Sequence, residues 1–172
     1  MIVRTERLVL RHARPDDLDD LHAVLSNPLA MRWWATLPHE TRAETEGWLD
    51  RMIAGNAGGS VDFVIERDGV VIGKAGCWRV PDIGYILHPD HWGQGLATEA
   101  VRATIDAVFA HTEVETLTAD VDPENAASIR LLERLGFHRT GFAERTWHIG
   151  GEWKDSFYYA LPRAEWALRQ RG

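Results

Sequence analysis

Apolar and polar positions change period several times along the chain, and each change marks an element. Residues 2–11 alternate, with Leu8 and Leu10 set against Arg7 and Arg11, and predict a strand. Pro15-Asp16-Asp17 then opens a helix, since proline suits the first turn and acids there complement the helix dipole. Leu18, Leu21, Val24 and Leu25 form its apolar face, Asp16–Asp20 read as a solvated face, and Asn27-Pro28 breaks it. The stretch 30–40 has no period and carries adjacent Trp33 and Trp34. A second helix is predicted from Thr41 to about Ala54, burying Trp48, Leu49, Met52 and Ile53, and Gly55–Ser60 reads as a flexible connection.

Short strands follow at 61–66, at 70–78 after an Asp68-Gly69 hairpin turn, and at 83–88. Residues 96–110 carry a helical stripe of Leu96, Ala100, Ile105, Val108 and Phe109. A strand at 117–121 precedes a helix over 123–135 that Gly136 stops. Residues 137–148 and 153–161 predict a final strand pair across Gly150-Gly151, with a short helix after Pro162. The pattern implies an α+β architecture: a mixed, mostly antiparallel sheet, helices on both faces, and one strand–helix–strand unit over 83–121. There is no internal repeat, and residues 1–172 are read as a single domain.

Composition narrows the class. Nineteen basic against 26 acidic residues give a net charge of −7, and 45% of the 172 residues are hydrophobic. A chain this long buries about 70% of its unfolded surface and needs no disulfide or metal to fold. The lone Cys77 sits in an apolar strand, which favours burial over reactivity. Charges near the N-terminus and the lack of any apolar run near ~20 residues predict a soluble, cytoplasmic protein with no membrane partner. Scattered Lys and Arg in an acidic chain argue against nucleic acid. His88-x-x-His91 is the closest histidine pair, and with no acid or cysteine completing a ligand set no metal is expected.

The segment Tyr85–Ala100 carries the chemistry. A strand ends, Gly93-Gln94-Gly95 turns, and a helix begins, so backbone N–H groups and a helix dipole converge on one point. That suits a phosphate or pyrophosphate, or simply caps a helix. A dinucleotide fingerprint fits poorly: Thr98 stands where the third glycine belongs, and Asp120 and Asp122 lie too far along.

Residues 91–100 resemble the pyrophosphate-binding motif of the GNAT superfamily of acyl-CoA-dependent N-acyltransferases. Gly95 and Ala97 match it; Trp92 replaces the usual Gln or Arg, as in the RimJ/RimL-like branch. Asp122–Phe137, with Asn125-x-x-Ser128 and Glu133-Arg134-Leu135-Gly136-Phe137, is similar to a second block of that branch. Thr5–Arg11, Asn27–Trp34 and Asp155–Trp166 are similar to further ones. The resemblance covers nearly the whole chain and implies the GNAT fold and acetyl transfer from acetyl-CoA to a primary amine. The acceptor would be a protein N-terminal α-amine or a small molecule, attacked directly, and a homodimer is common among relatives. A non-catalytic acyl-CoA-binding or interaction module of the same fold is the alternative.

The resemblance also implies roles. Acyl-CoA would lie where the strands at 83–88 and 117–121 splay. Its pantetheine arm would pair with backbone groups of Ile86, Leu87 and His88. Its pyrophosphate would take N–H groups of Gly93, Gln94, Gly95, Leu96, Ala97 and Thr98. Asn125 would bond the pantetheine or acetyl amide region, and Arg130 and Arg134 are either 3′-phosphate contacts or surface. The tyrosine that many members place after the Asn-x-x-small unit is absent, Leu131-Leu132 standing there, and Ser128 would protonate the leaving thiolate. Asp82, where several members place a water-linked Glu, is the candidate base or else a turn residue after Pro81, with His148 and Glu144 as further candidates. Trp33 and Trp34 would wall the acceptor site, at least one of them reaching the core. Of Tyr158 and Tyr159, one should face the site and one the core.

Overall fold

The computed structural model describes residues 1–170. Eight strands form one sheet: β1 (Ile2–Arg4), β2 (Val9–Arg11), β3 (Val61–Arg67), β4 (Val70–Arg79), β5 (Asp82–Leu87), β6 (Thr116–Val121), β7 (His138–Ile149) and β8 (Glu152–Pro162). Their spatial order is β1-β2-β3-β4-β5-β6-β8-β7, and only β5 and β6 run parallel. Five helices, α1 (Leu18–Leu25), α2 (Arg42–Ala57), α3 (Leu96–His111), α4 (Ala126–Leu135) and α5 (Arg163–Arg169), cover the sheet. This is the expected mixed, mostly antiparallel α+β architecture.

Strand alternation assigns the two faces. Phe63 and Ile65 of β3, Ala75 and Cys77 of β4, and Ile83 and Leu87 of β5 join the core beneath α3, together with Leu131, Leu132 and Leu135 of α4 and Trp166 of α5. Val64 and Val71 point the other way, against Leu18 and Leu21 of α1 and Leu49 and Met52 of α2. Cys77 is fully buried, and burial pushes its thiol up to about 12. No helix among the described residues is long and apolar enough to cross a membrane.

Several boundaries differ from expectation, each for a local reason. Residues 2–11 are two strands, because the chain reverses at Thr5–Leu8, where the Thr5 N–H donates to the Leu8 carbonyl (3.0 Å). The turn is pulled onto α3: the Thr5 hydroxyl (2.6 Å), the Arg7 N–H (2.9 Å) and Arg7 Nε (2.7 Å) all donate to the Glu99 carboxylate. The helix expected at Pro15 is a 3-10 turn over Pro15–Asp17 before α1. The acids there are not all solvated: Asp17 is buried in a bidentate pair with Arg11 (2.7 and 2.9 Å), and Asp20 accepts from the Val71 N–H (2.8 Å). Helix α2 runs on to Ala57, so Gly55 and Asn56 are helical, and Asn56 Nδ2 ties the helix end to the Asp62 carbonyl (2.8 Å). Of the apolar residues expected to be buried in α2, Leu49 and Met52 are, alongside Thr45, while Trp48 and Ile53 are half-buried. Helix α4 begins at Ala126 rather than 123, because Asn125 Oδ1 accepts from the Ser128 N–H (3.2 Å) and caps it there.

Candidate active site

The parallel pair β5–β6 meets at one register position, Asp82 opposite Thr118, and a hydrogen bond from the Thr118 N–H to the Pro81 carbonyl (3.0 Å) closes that end. The strands then splay. On its other edge β5 stays zipped to β4 through Leu87 opposite Gly73. The gap opens a cavity of about 950 Å³, lined from β5 (Ile83–Leu87), the loop and first turn of α3, β6, α4, the Trp33–Trp34 segment and the β7–β8 hairpin.

The loop before α3 is shaped by its glycines. Gly93 (φ 71°) and Gly95 (φ 77°) occupy the left-handed region, which a residue with a Cβ enters only at a cost. Gly95 stands at the N-cap position of the 16-residue α3 and offers no side chain to its first turn. The N–H groups opening that helix therefore face the cavity, with the positive end of the dipole behind them. The loop is braced from outside: Arg7 Nη1 donates to the Gln94 carbonyl (2.8 Å), Arg67 Nη1 to Gln94 Oε1 (2.9 Å), and the Trp92 indole to the Leu87 carbonyl (2.8 Å).

Most of the expected site residues meet on this one cavity: Trp33, Trp34, Ile86, Leu87, Gly93, Gly95, Leu96, Ala97, Thr98, Asn125 and Ser128. Arg130 and Arg134 line it too. Gln94 does not, its carbonyl and amide being engaged by the two arginines. Nor does His88, whose N–H donates to the Ile72 carbonyl (2.8 Å) and whose Nδ1 accepts from the Asp90 N–H (3.3 Å). Asp82 lies outside the lining, its carboxylate accepting from the Thr118 hydroxyl at the closed end of the splay. His148 stacks on Trp153 (ring centroids 4.7 Å apart), and Glu144 is exposed on β7; neither lines the cavity. Trp33 and Trp34 are both half-buried wall residues, and Trp34 also packs against the core cluster of Val24, Leu25, Met31 and Ile86. Tyr158 is exposed, and buried Tyr159 donates to Glu133 Oε1 (3.2 Å), so neither faces the cavity.

The phenol in the cavity is Tyr85. Its hydroxyl lies 2.5 Å from Ser128 Oγ, joining β5 to α4 across the floor of the splay. Burial pushes it up to about 12, only partly relieved by the bond to Ser128, so it is a neutral phenol at physiological pH. The signal was in the strand: in Ile83–Leu87 alternation turns Tyr85 with Ile83 and Leu87, and it is the sole polar-tipped side chain of that face. The acids of the wall were also missed as site residues. They are Asp120 on β6 and Asp122 just past its end, and Glu152 and Asp155 on β8, with Asp120 Oδ2 accepting from the Trp147 indole (3.0 Å). Against them stands Lys154, paired with Glu152 (2.9 Å). Cations and a helix N-terminus thus face the cavity from α3 and α4, and mainly carboxylates from β6 and β8. Among the described residues no group of three or more metal-ligating side chains gathers.

Comparison with known proteins agrees with this geometry. Residues 7–138 match the family described as acetyltransferase (GNAT) domain. An uncharacterized N-acetyltransferase, p20, of Bacillus licheniformis is 30% identical over 95% of this chain and 97% of its own. Two proteins of Escherichia coli (strain K12) are also similar. The spermidine N(1)-acetyltransferase is 29% identical over 86% of this chain and 81% of its own, and the [ribosomal protein uS5]-alanine N-acetyltransferase is 28% identical over 94% and 91%. Among solved structures, a GNAT-family acetyltransferase of Bacillus anthracis superposes with a TM-score of 0.83 (24% identity; 96% of this chain, 100% of that one). RimL, the ribosomal L7/L12 α-N-protein acetyltransferase in complex with coenzyme A, superposes with 0.82 (20% identity; 96% and 99%). The family match over most of the chain and the full-length relatives have one consequence: the chain belongs to the GNAT family of N-acetyltransferases, in its RimJ/RimL-like branch.

Proposed function

We propose that this enzyme moves the acetyl group of acetyl-CoA onto a primary amine, either a protein N-terminal α-amine or a small-molecule amine, by direct attack. The observation that carries the reading is the splay between β5 and β6 with the Tyr85–Ser128 hydroxyl pair at its floor. The pyrophosphate would bind the N–H groups opening α3, with Arg130 and Arg134 as cationic neighbours. The pantetheine amides would pair with the β5 edge at Ile86 and Leu87 and with Asn125. The amine lone pair attacks the thioester carbon, the C–S bond breaks, and the departing sulfur takes a proton from the Ser128 hydroxyl, which Tyr85 holds and which regains a proton from solvent once CoA leaves. Tyr85 thus supplies from a strand the phenol that α4 lacks, which favours catalysis over a purely binding module.

An α-amine with a pKa of ~7.7–8.0 is partly neutral at pH 7.5 and needs little help from a base. This suits a site in which Asp82 is engaged elsewhere. The carboxylates of β6 and β8 attract the ammonium form and receive the proton lost on attack through solvent. The two named Escherichia coli relatives act on spermidine and on a ribosomal-protein alanine, both primary amines.

Thermal shift with acetyl-CoA, CoA and NADPH in parallel tests the cofactor. At ~100 times Kd a ligand adds about 2.7 kcal/mol, a rise of roughly 5–10 °C for a domain this size. A rise with both CoA species and none with NADPH, followed by CoA release with a primary-amine panel, is the expected result. A rise with NADPH alone overturns the reading.

A further inference from the structure

Besides Arg11–Asp17, a second charged pair is buried against the sheet and takes no part in the chemistry above. Lys74 Nζ on β4 lies 2.7 Å from Asp62 Oδ1 on β3, with side-chain exposures of 5% and 3%. The sequence makes room for it: a methyl at Gly76 would run into the Asp62 backbone and carboxylate. Asn56 of α2 holds the Asp62 carbonyl. Val64 and Val71 lie in one apolar cluster of this face, and Ile86, Leu25 and Met31 in the next. Two well-packed hydrophobic residues there would serve stability as well or better, because the desolvation of a buried pair offsets much of its attraction. Its stability contribution does not explain the pair.

Its position does. The Lys74 ammonium lies 5.8 Å from the ring centroid of Trp34, within reach of a cation–π contact. Trp34 packs on Ile86, its ring tip reaches Gly84 of β5, and it walls the cavity from the α1–α2 side. Tyr85 and Ser128 reach the same cavity from the α3–α4 side.

We propose that the Lys74–Asp62 pair is a positioning device for the acceptor wall: Asp62 fixes the ammonium, the ammonium fixes the Trp34 indole over β5, and the indole sets how tightly the incoming amine is gripped. The functional half rests on reading that wall as the acceptor side.

Lys74→Met alone strands a buried carboxylate and endangers the fold, so the test uses Lys74→Met with Asp62→Leu, and Lys74→Arg as the conservative variant. The full chain is labelled with 5-fluorotryptophan, and the Trp34 signal is assigned by its loss in Trp34→Phe. In the double variant the Trp34 resonance is expected to shift or broaden while the Trp153 and Trp166 resonances stay. With spermidine and an alanine-terminated hexapeptide as probe amines, the KM of whichever is turned over should rise about tenfold, the scale of one desolvated cation–π contact. The KM for acetyl-CoA should not change, and Lys74→Arg should restore both readouts.

An unmoved Trp34 resonance overturns the proposal whatever the kinetics show. So does a moved resonance with an unchanged amine KM, or an equal rise in both KM values. Lack of turnover of either amine by the unmodified enzyme overturns the acceptor-wall reading on which the functional half rests. The fluorine signal then still decides whether the pair holds the indole.

Discussion

Replacing Ser128 and Tyr85 singly and together separates a proton donor from its support. The hydroxyls stand 2.5 Å apart between β5 and α4, and Tyr85, pushed up to about 12, stays neutral across any practical assay range. If Ser128 protonates the leaving sulfur, Ser128→Ala removes a general acid. A thiol of pKa ~8.5 leaves tolerably well unaided, so the loss in kcat belongs at the low end of acid catalysis, about 10²–10³-fold. Tyr85→Phe keeps the ring packed and deletes one neutral hydrogen bond, a net ~0.5–1.5 kcal/mol, or about tenfold in kcat. Because Tyr85 acts through Ser128, the double variant should be no slower than Ser128→Ala. The coupling between the two sites then equals the whole Tyr85 effect. The assay is initial-rate CoA release with saturating acetyl-CoA, trapping the free thiol. Multiplied losses in the double variant would show that Tyr85 acts on the substrate by itself, and an unchanged kcat in Ser128→Ala would remove Ser128 from the mechanism.

Three further outcomes are expected. Gly95→Ala forces a Cβ into φ 77° with no clash beyond an ordinary contact to Arg7, so stability should fall by about 1–2 kcal/mol and CoA affinity severalfold. Calorimetric titration with CoA and a melting curve check it. Asp17→Asn leaves the buried Arg11 guanidinium, now raised above its ordinary value mainly by its hydrogen bond to Asp17, paired only with Glu66. A loss of about 3 kcal/mol, or roughly 6–12 °C in Tm, is expected, with KM values unaltered. Finally, burial lowers the pKa of His39, whose Nδ1 meets the buried Thr45 hydroxyl (2.8 Å) beside the cavity-lining Thr36–Pro38. The unfolded chain then binds a proton more readily than the native one. This contribution to stability is complete above pH 6.5 and is lost as pH falls through the native pKa. Tm should drop between pH 7 and 5, less steeply in His39→Gln; equal slopes would refute the assignment.

Much of this was legible because the informative signals are local. Gly93, Gly95 and Gly136 announce their turns, and Asp68-Gly69 (φ 52° and 84°) announces its hairpin. The stripe of α3 follows from side-chain spacing alone. What escaped was set by partners far away in sequence. The break at Thr5–Leu8 exists because Glu99, more than 90 residues on, recruits Thr5 and Arg7. Asp17 looks like one more solvated acid until Arg11 of β2 is seen to reach it. Asp82 stands at the expected strand position, but its side chain is taken by Thr118 of the neighbouring strand. Tyr85 reads in sequence as one more strand residue, because only the fold brings Ser128 to it.

The single meeting point of β5 and β6 has a consequence for self-association. Strand edges in a sheet are templates for other chains, and proteins usually blunt or cover the outer ones. Here two such edges lie in the middle of the sheet, facing each other across the splay. A flexible ligand carrying its own amides, as proposed for the pantetheine arm, would satisfy those backbone groups from within the splay. Such a ligand would double as a cover for edges that otherwise invite misassembly, while β1 and β7 form the outer edges of the described sheet.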